Sequence, residues 1–245
     1  MPTSLWPIHG ERLEQLIRRT ELWQPLLRRA VEEEIVALVG LDEAELHILE
    51  QEFRSSNQLS TDEQLQEWLQ QRHWNHADLQ LHLARPEALQ RFAEQRFGPG
   101  LEETFLQRKQ QLDTVVYSLL RVQNEGLARE LWIQLSEGEI SFPEAAGRYS
   151  EGPEAAHKGV IGPLPLGQLQ PELANRLRSL GQGELRAPER LGAWWVLLRL
   201  EQLTPAKLDD AMRKRLLDEQ LNAYLEQRCQ QIRGGEQPEE LAYTP

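Results

Sequence analysis

The sequence predicts an α+β chain in which a small antiparallel sheet with surrounding helices is inserted into a split all-helical domain. Three observations carry this. From residue 11 to 108, leucines and aromatics recur at spacings of three and four among Glu, Gln and Arg, the period of amphipathic helices. Residues 114–120 and 193–200 are instead β-branched and aromatic, as buried strands are. After Thr204 a helical apolar stripe returns, and a lone amphipathic helix must bury its stripe against something, for which the N-terminal helices are nearest.

Taken in order, Asp42 and Glu45 form a D-x-x-E start ahead of Leu46, Leu49 and Phe53. Ser60 and Glu63 read as a capping box before Leu65, Trp68 and Leu69, and Asn75 as the cap of a helix carrying Leu79, Leu81 and Leu83. Arg85-Pro86 interrupts that pattern, so Pro86 is placed in the first turn of a further helix bearing Leu89, Phe92 and Phe97. That gives at least four helices before Gly98-Pro99-Gly100. Strands are expected at 114–120, 185–188 and 193–200, with a helix around 128–135, another capped by Ser141 with Glu144, and a Gly/Pro-rich run over 159–167. The last helix starts at Thr204-Pro205 and carries Leu208, Met212, Leu216, Leu221 and Leu225. The resulting boundaries are 1–111 helical, 112–203 mixed, 204–233 helical, and a disordered tail over 234–245.

Composition narrows the function. Acidic residues outnumber basic ones 39 to 27, and a net charge of −12 repels phosphate backbones and anionic headgroups, so neither nucleic acid nor membrane insertion is expected. No stretch approaches a membrane span and residues 1–11 lack the features of an export signal, which predicts a soluble, cytoplasmic protein. The single cysteine, Cys229, lies in an Arg- and Gln-rich helical stretch and is read as neither catalytic nor metal-bound. His73, His76 and His82 lack a third ligand at a recognisable spacing, so no metal or other cofactor is expected. Trp68, Trp74 and Trp132 recur with leucines at helical spacing and are assigned to the core.

The middle region has an ordered set of motifs. It opens with Val115-Val-Tyr-Ser-Leu-Leu and continues with Ser141-Phe142-Pro-Glu-Ala-Ala-Gly-Arg-Tyr149-Ser150 and Lys158-Gly159-Val160-Ile161-Gly162. Then follow Gly167-Gln-Leu169-Gln-Pro171-Glu-Leu173, Leu180-Gly-Gln-Gly183-Glu184-Leu185-Arg-Ala-Pro188 and Gly192-Ala-Trp194. In this order they resemble the parvulin (PpiC, rotamase) type of peptidyl-prolyl isomerase, and with flanking helices the layout resembles SurA- and PrsA-type foldases. The resemblance implies a protein-folding factor acting on unfolded or proline-containing polypeptide clients, with an export machinery as a further candidate partner.

It also implies site positions. Leu169 and Leu173 stand where the family places a Met and a Phe around the proline ring. The first family histidine aligns on Ser118, or on Tyr117 if the register slips by one. The second aligns on Trp194, and the Cys or Asp facing the substrate carbonyl falls near Gly152. Indole donates one hydrogen bond and accepts none, so Ser118 with Trp194 cannot reproduce a bonded histidine pair. Catalysis is therefore expected to be weak or lost, and a peptide-binding chaperone or secretion-associated scaffold is the alternative to an enzyme. His157, beside Lys158, is a substitute binding residue or a solvated loop histidine. Tyr117 and Ser118 remain equal candidates, because only one of two neighbours in a strand can face a given side.

Overall fold

The computed structural model describes residues 10–244; the start of the chain, on which the reading of an export signal bears, lies outside them. The described residues form two compact units. One comprises the residues up to Glu102 together with those from Asp209 onward, and the other is Glu103–Leu208.

The first unit is helical: α1 (Gly10–Arg19), α2 (Trp23–Val39), α3 (Glu43–Ser56), α4 (Asp62–Gln71), α5 (His76–Phe97) and the last helix of the chain, Asp210–Arg233. The start of α3 is a complete capping box of Asp42 and Glu45, and Asn75 with Asp78 makes another for α5. At α4 the box is Thr61 with Gln64, one residue beyond the expected Ser60 and Glu63. Pro86 does not begin a helix; it lies inside α5. It removes one backbone donor, but Leu79, Ala84, Ala88, Phe92 and Ala93 are buried on both sides of it, and that continuous face holds the helix together. The long final helix buries Leu216, Leu217, Leu221 and Leu225 and packs on α2 and α5, with Tyr224 against Phe92 at 5.8 Å between rings. Phe53, Trp68 and Trp74 form an edge-on aromatic chain around Leu65, Leu69 and Leu79.

The second unit is the mixed one. After α6 (Leu101–Leu112), which crosses the boundary between units, come β1 (Thr114–Val122), α7 (Glu125–Glu137), α8 (Phe142–Tyr149), β2 (Val160–Pro165), α9 (Pro171–Arg178), β3 (Glu189–Leu191) and β4 (Trp194–Thr204); the final helix is α10. The strands form one antiparallel sheet in the order β2-β1-β4-β3.

Three boundaries differ from the sequence expectation. The Gly/Pro-rich run contains a strand, β2, which tolerates Pro163 and Pro165 because it is an edge. Gly162 there has φ +111, and a Cβ would lie 2.5 Å from Val115 O, so only glycine fits the close approach to β1. Of the expected strand at 185–188, only Leu185 bridges, to Arg199; the strand is β3, joined to β4 by the two-residue turn Gly192-Ala193. Thr204 is not a helix cap: it ends β4 opposite Thr114, and Asp209 caps α10 by accepting from Met212 N at 2.9 Å.

Each side of the sheet has its own core. Val115, Tyr117, Leu119, Val196, Leu198 and Leu200 face α9, with Leu166, Ala174 and Leu177. Leu120, Val122 and Leu197 face α7 and α8, with Ala128, Leu131, Phe142, Ala145 and Ala146.

Candidate functional site

On the α9 side the core is incomplete. A cavity of about 550 Å³ opens there, lined by Tyr117, Leu119 and Arg121 of β1, Ile161 of β2, Gln168 to Gln170, Glu172 and Leu173 around the start of α9, and Leu191, Trp194 and Val196 of the β3–β4 hairpin. Alternation along β1 sends Tyr117, Leu119 and Arg121 to this side together. The tight turn at Gly192, with φ +62, brings Leu191 opposite Trp194 at its rim.

Four predicted site residues thus meet: Tyr117, Leu169, Leu173 and Trp194. The others lie elsewhere. Ser118, fully buried, points to the α8 side, where its hydroxyl donates to the Glu201 carboxylate; Arg199 Nε also donates to Glu201, at 2.8 Å, and its guanidinium lies 5.1 Å from the Phe142 ring. β1 alternates without a break, Val115, Tyr117 and Leu119 facing α9 and Leu120 and Val122 facing α7 and α8, while the partner strand β4 carries a bulge where Val116 pairs with Gln202 but Tyr117 with Leu200. His157 borders a separate, open depression beside β2, with Lys158 and Val160. Gly152 lies against the ion pair of Arg121 and Glu154, whose atoms occupy the space a Cβ would need.

Arg121, which lines the cavity, is held in that ion pair. Arg121 Nε donates to Glu154 Oε1 at 2.8 Å and Nη2 stands 2.8 Å from Oε2, while Ser150 Oγ donates to Oε1 at 2.6 Å. The Glu154 side chain is 1% exposed, so its charge is matched by Arg121 and the cavity beside the pair is close to neutral. Burial pushes the Tyr117 phenol above the ordinary tyrosine range, which keeps it a protonated donor at neutral pH; among the described residues no hydrogen bond engages its hydroxyl. At the other wall Glu189 ties α9 to β3: Arg176 Nε donates to Oε2 at 2.5 Å and Arg186 Nε to Oε1. Burial pushes this carboxyl up, but the two arginines outweigh it and hold it below the usual carboxylate range.

Residues 120–202 match the family model of the PPIC-type PPIase (rotamase) domain. This region is a parvulin-type domain. The chain is similar to solved PrsA peptidyl-prolyl isomerases of Bacillus cereus (15% identity, 94% of this chain and 88% of that chain, TM-score 0.50) and Bacillus anthracis (16%, 88% and 100%, 0.47). It is also similar to a SurA-like chaperone of Campylobacter jejuni (14%, 82% and 88%, 0.38). At 15% identity the likeness to the Bacillus cereus protein is one of fold. No curated protein matches the chain. Within the parvulin-type domain, Leu119, Arg121, Ile161, Gln168, Gln170, Glu172, Leu191 and Val196 are cavity residues that sequence reasoning missed. The period-two step from Tyr117 and the two-residue turn at Gly192-Ala193 were the signals for those on β1 and β3.

The cavity supplies an apolar slot between two leucines and two aromatics, a phenolic donor, side-chain amides from Gln168 and Gln170, and, among the described residues, no histidine. Among the described residues no group of three or more His, Cys, Asp or Glu could hold a metal ion, and no helix is long and apolar enough to cross a membrane.

Proposed function

We propose that this chain is a folding factor whose parvulin-type domain takes a proline-containing segment of a client polypeptide into the α9-side cavity. The observation that carries the reading is the convergence of Tyr117, Leu169, Leu173 and Trp194 on one cavity inside the family-matched region. A pyrrolidine ring fits an apolar slot of this kind, and the Tyr117 phenol can donate to a carbonyl beside it.

Isomerisation breaks no bond. It requires binding the twisted amide better than the planar one, against a barrier of ~18–20 kcal/mol. With neutral donors only and an Arg121 already paired with Glu154, the site has little that strengthens as the amide twists, so acceleration is weak and binding is the main activity. A non-catalytic peptide-binding chaperone is the second reading, favoured by Ser118 being tied up on the opposite side of the sheet. A cytoplasmic setting and an export machinery as partner belong to the same proposal and rest on the sequence alone; cell fractionation and co-purification check them.

The test is the rate of a proline-limited refolding reaction at about 10 °C, where uncatalysed isomerisation takes minutes. Weak acceleration by the full chain, removed by Leu169→Trp, is expected; a rate equal to that of active isomerases, or one untouched by Leu169→Trp, would displace this cavity as the site.

A further inference from the structure

Among the described residues two charged side chains line the α9-side cavity, Arg121 and Glu172, and they stand in opposite conditions. Arg121 is matched: each oxygen of the Glu154 carboxylate lies 2.8 Å from its guanidinium, and the Glu154 side chain is 1% exposed. A pair of that geometry holds its cation in place, so Arg121 offers little free charge to an incoming peptide. Glu172 is unmatched. It sits in the first turn of α9, its side chain is 77% exposed, and the one ion pair it makes among the described residues is with Arg176 Nη1 at 3.8 Å.

That pair is long because Arg176 is engaged elsewhere. Its Nε donates to Glu189 Oε2 at 2.5 Å, and Glu189 also accepts from Arg186. A guanidinium is planar with its donors in fixed directions, so aiming it at β3 leaves Glu172 only the longer approach. Arg190, the cation of the hairpin, is turned to its own corner, with Nε donating to Gly192 O at 3.2 Å.

The position of Glu172 gives its charge a use. It precedes Leu173, which with Leu169 walls the apolar slot. The residues on either side of a proline have their Cα atoms about 3.8 Å from its own, so a ring held in the slot brings a flanking side chain past the rim where Glu172 stands. Water reaches a carboxylate at such a rim, and an opposite charge beside it is worth about two- to fivefold in affinity, with a like charge opposed by a similar factor. The excess of acidic over basic residues in the whole chain, 39 to 27, steers the same class of peptide toward the protein.

We infer that Glu172 is the specificity-determining residue of the cavity, selecting client prolines flanked by Lys or Arg over prolines flanked by Asp or Glu, and that Glu189 keeps it available by holding Arg176. The inference rests on the reading of the cavity as a proline slot and adds the chemistry of the residues beside the proline.

The test is fluorescence anisotropy of the full chain with three labelled peptides, each with a central proline flanked on both sides by Lys, by Ala or by Glu. Affinity is expected to fall in that order, by about two- to fivefold at each step in dilute buffer. The steps should shrink toward equality at about 0.5 M salt. Glu172→Gln should bring the Lys and Ala peptides to within about 1.5-fold of each other, and Glu172→Lys should reverse the order. Glu189→Gln, which frees Arg176 to turn to Glu172, should also narrow the gap between the Lys and Ala peptides. A preference produced by the overall charge alone would survive Glu172→Gln, and that result, or equal affinities for the three peptides, would overturn the inference while leaving the cavity as a proline slot. A gap unchanged by Glu189→Gln would overturn the part assigned to Glu189. No binding of any of the three peptides would overturn both the inference and the slot.

Discussion

Tyr117 and Ser118 are neighbours on one strand, both nearly inaccessible to solvent, yet they belong to opposite worlds. The α9 side, where Tyr117 points, leaves a cavity open and a phenol with no hydrogen-bond partner among the described residues. The α8 side is closed: Phe142, Leu131 and Leu197 fill it, and Ser118 is consumed by Glu201 and Arg199. The difference teaches that residue type does not select a site residue in this sheet. The pleat selects it: along β1, Val115, Tyr117 and Leu119 face one side, and Ser118 with Leu120 and Val122 the other.

The comparison breaks most visibly on the closed side. Phe142→Ala should cost about 3–5 kcal/mol in urea denaturation, because Phe142 is fully buried against α7 and the sheet, while leaving peptide binding to the cavity intact. Ser118→Ala should cost about 1.5 kcal/mol, since it strips a partner from the Glu201 carboxylate, and again binding should survive. Loss of binding at unchanged stability would move Ser118 back into the site.

A smaller effect sharpens the picture of the open side. The Glu189 carboxyl titrates below its unfolded value, so its clamp on α9 contributes stability above about pH 4.3 and loses it as pH falls through the folded value. Between about pH 5 and 3 the native chain should therefore lose stability faster than Glu189→Gln. Parallel acid curves would show that the clamp contributes nothing.

How much of this was legible beforehand follows from the physics of each element. Capping chemistry is local, so Asp42 with Glu45, Asn75, and Ser141 were readable as helix starts. Pro86 was not readable as a helix interior, because what carries α5 through it is burial of Leu79 and Phe92 on distant partners. β2 was hidden by Pro163 and Pro165, which are tolerated only because its outer edge is unpaired. The packing of the segment after α10 was hidden because its anchor, a hydrogen bond from the buried Arg228 to the Glu239 carbonyl, leaves no mark in the local sequence pattern. For the cavity, ordered motifs indicated Leu169, Leu173 and Trp194. Alternation alone could not choose between Tyr117 and Ser118, since the choice depends on a pairing register with a strand some eighty residues away.

The most direct test of the central claim is an NMR titration of the full chain with a synthetic proline-containing peptide. The account predicts shifts centred on the Leu169 and Leu173 methyls and the Trp194 indole, absent at Ser118 and His157 and abolished by Leu169→Trp. Shifts centred on His157 or on the α7–α8 side, or none at saturating peptide, would contradict it.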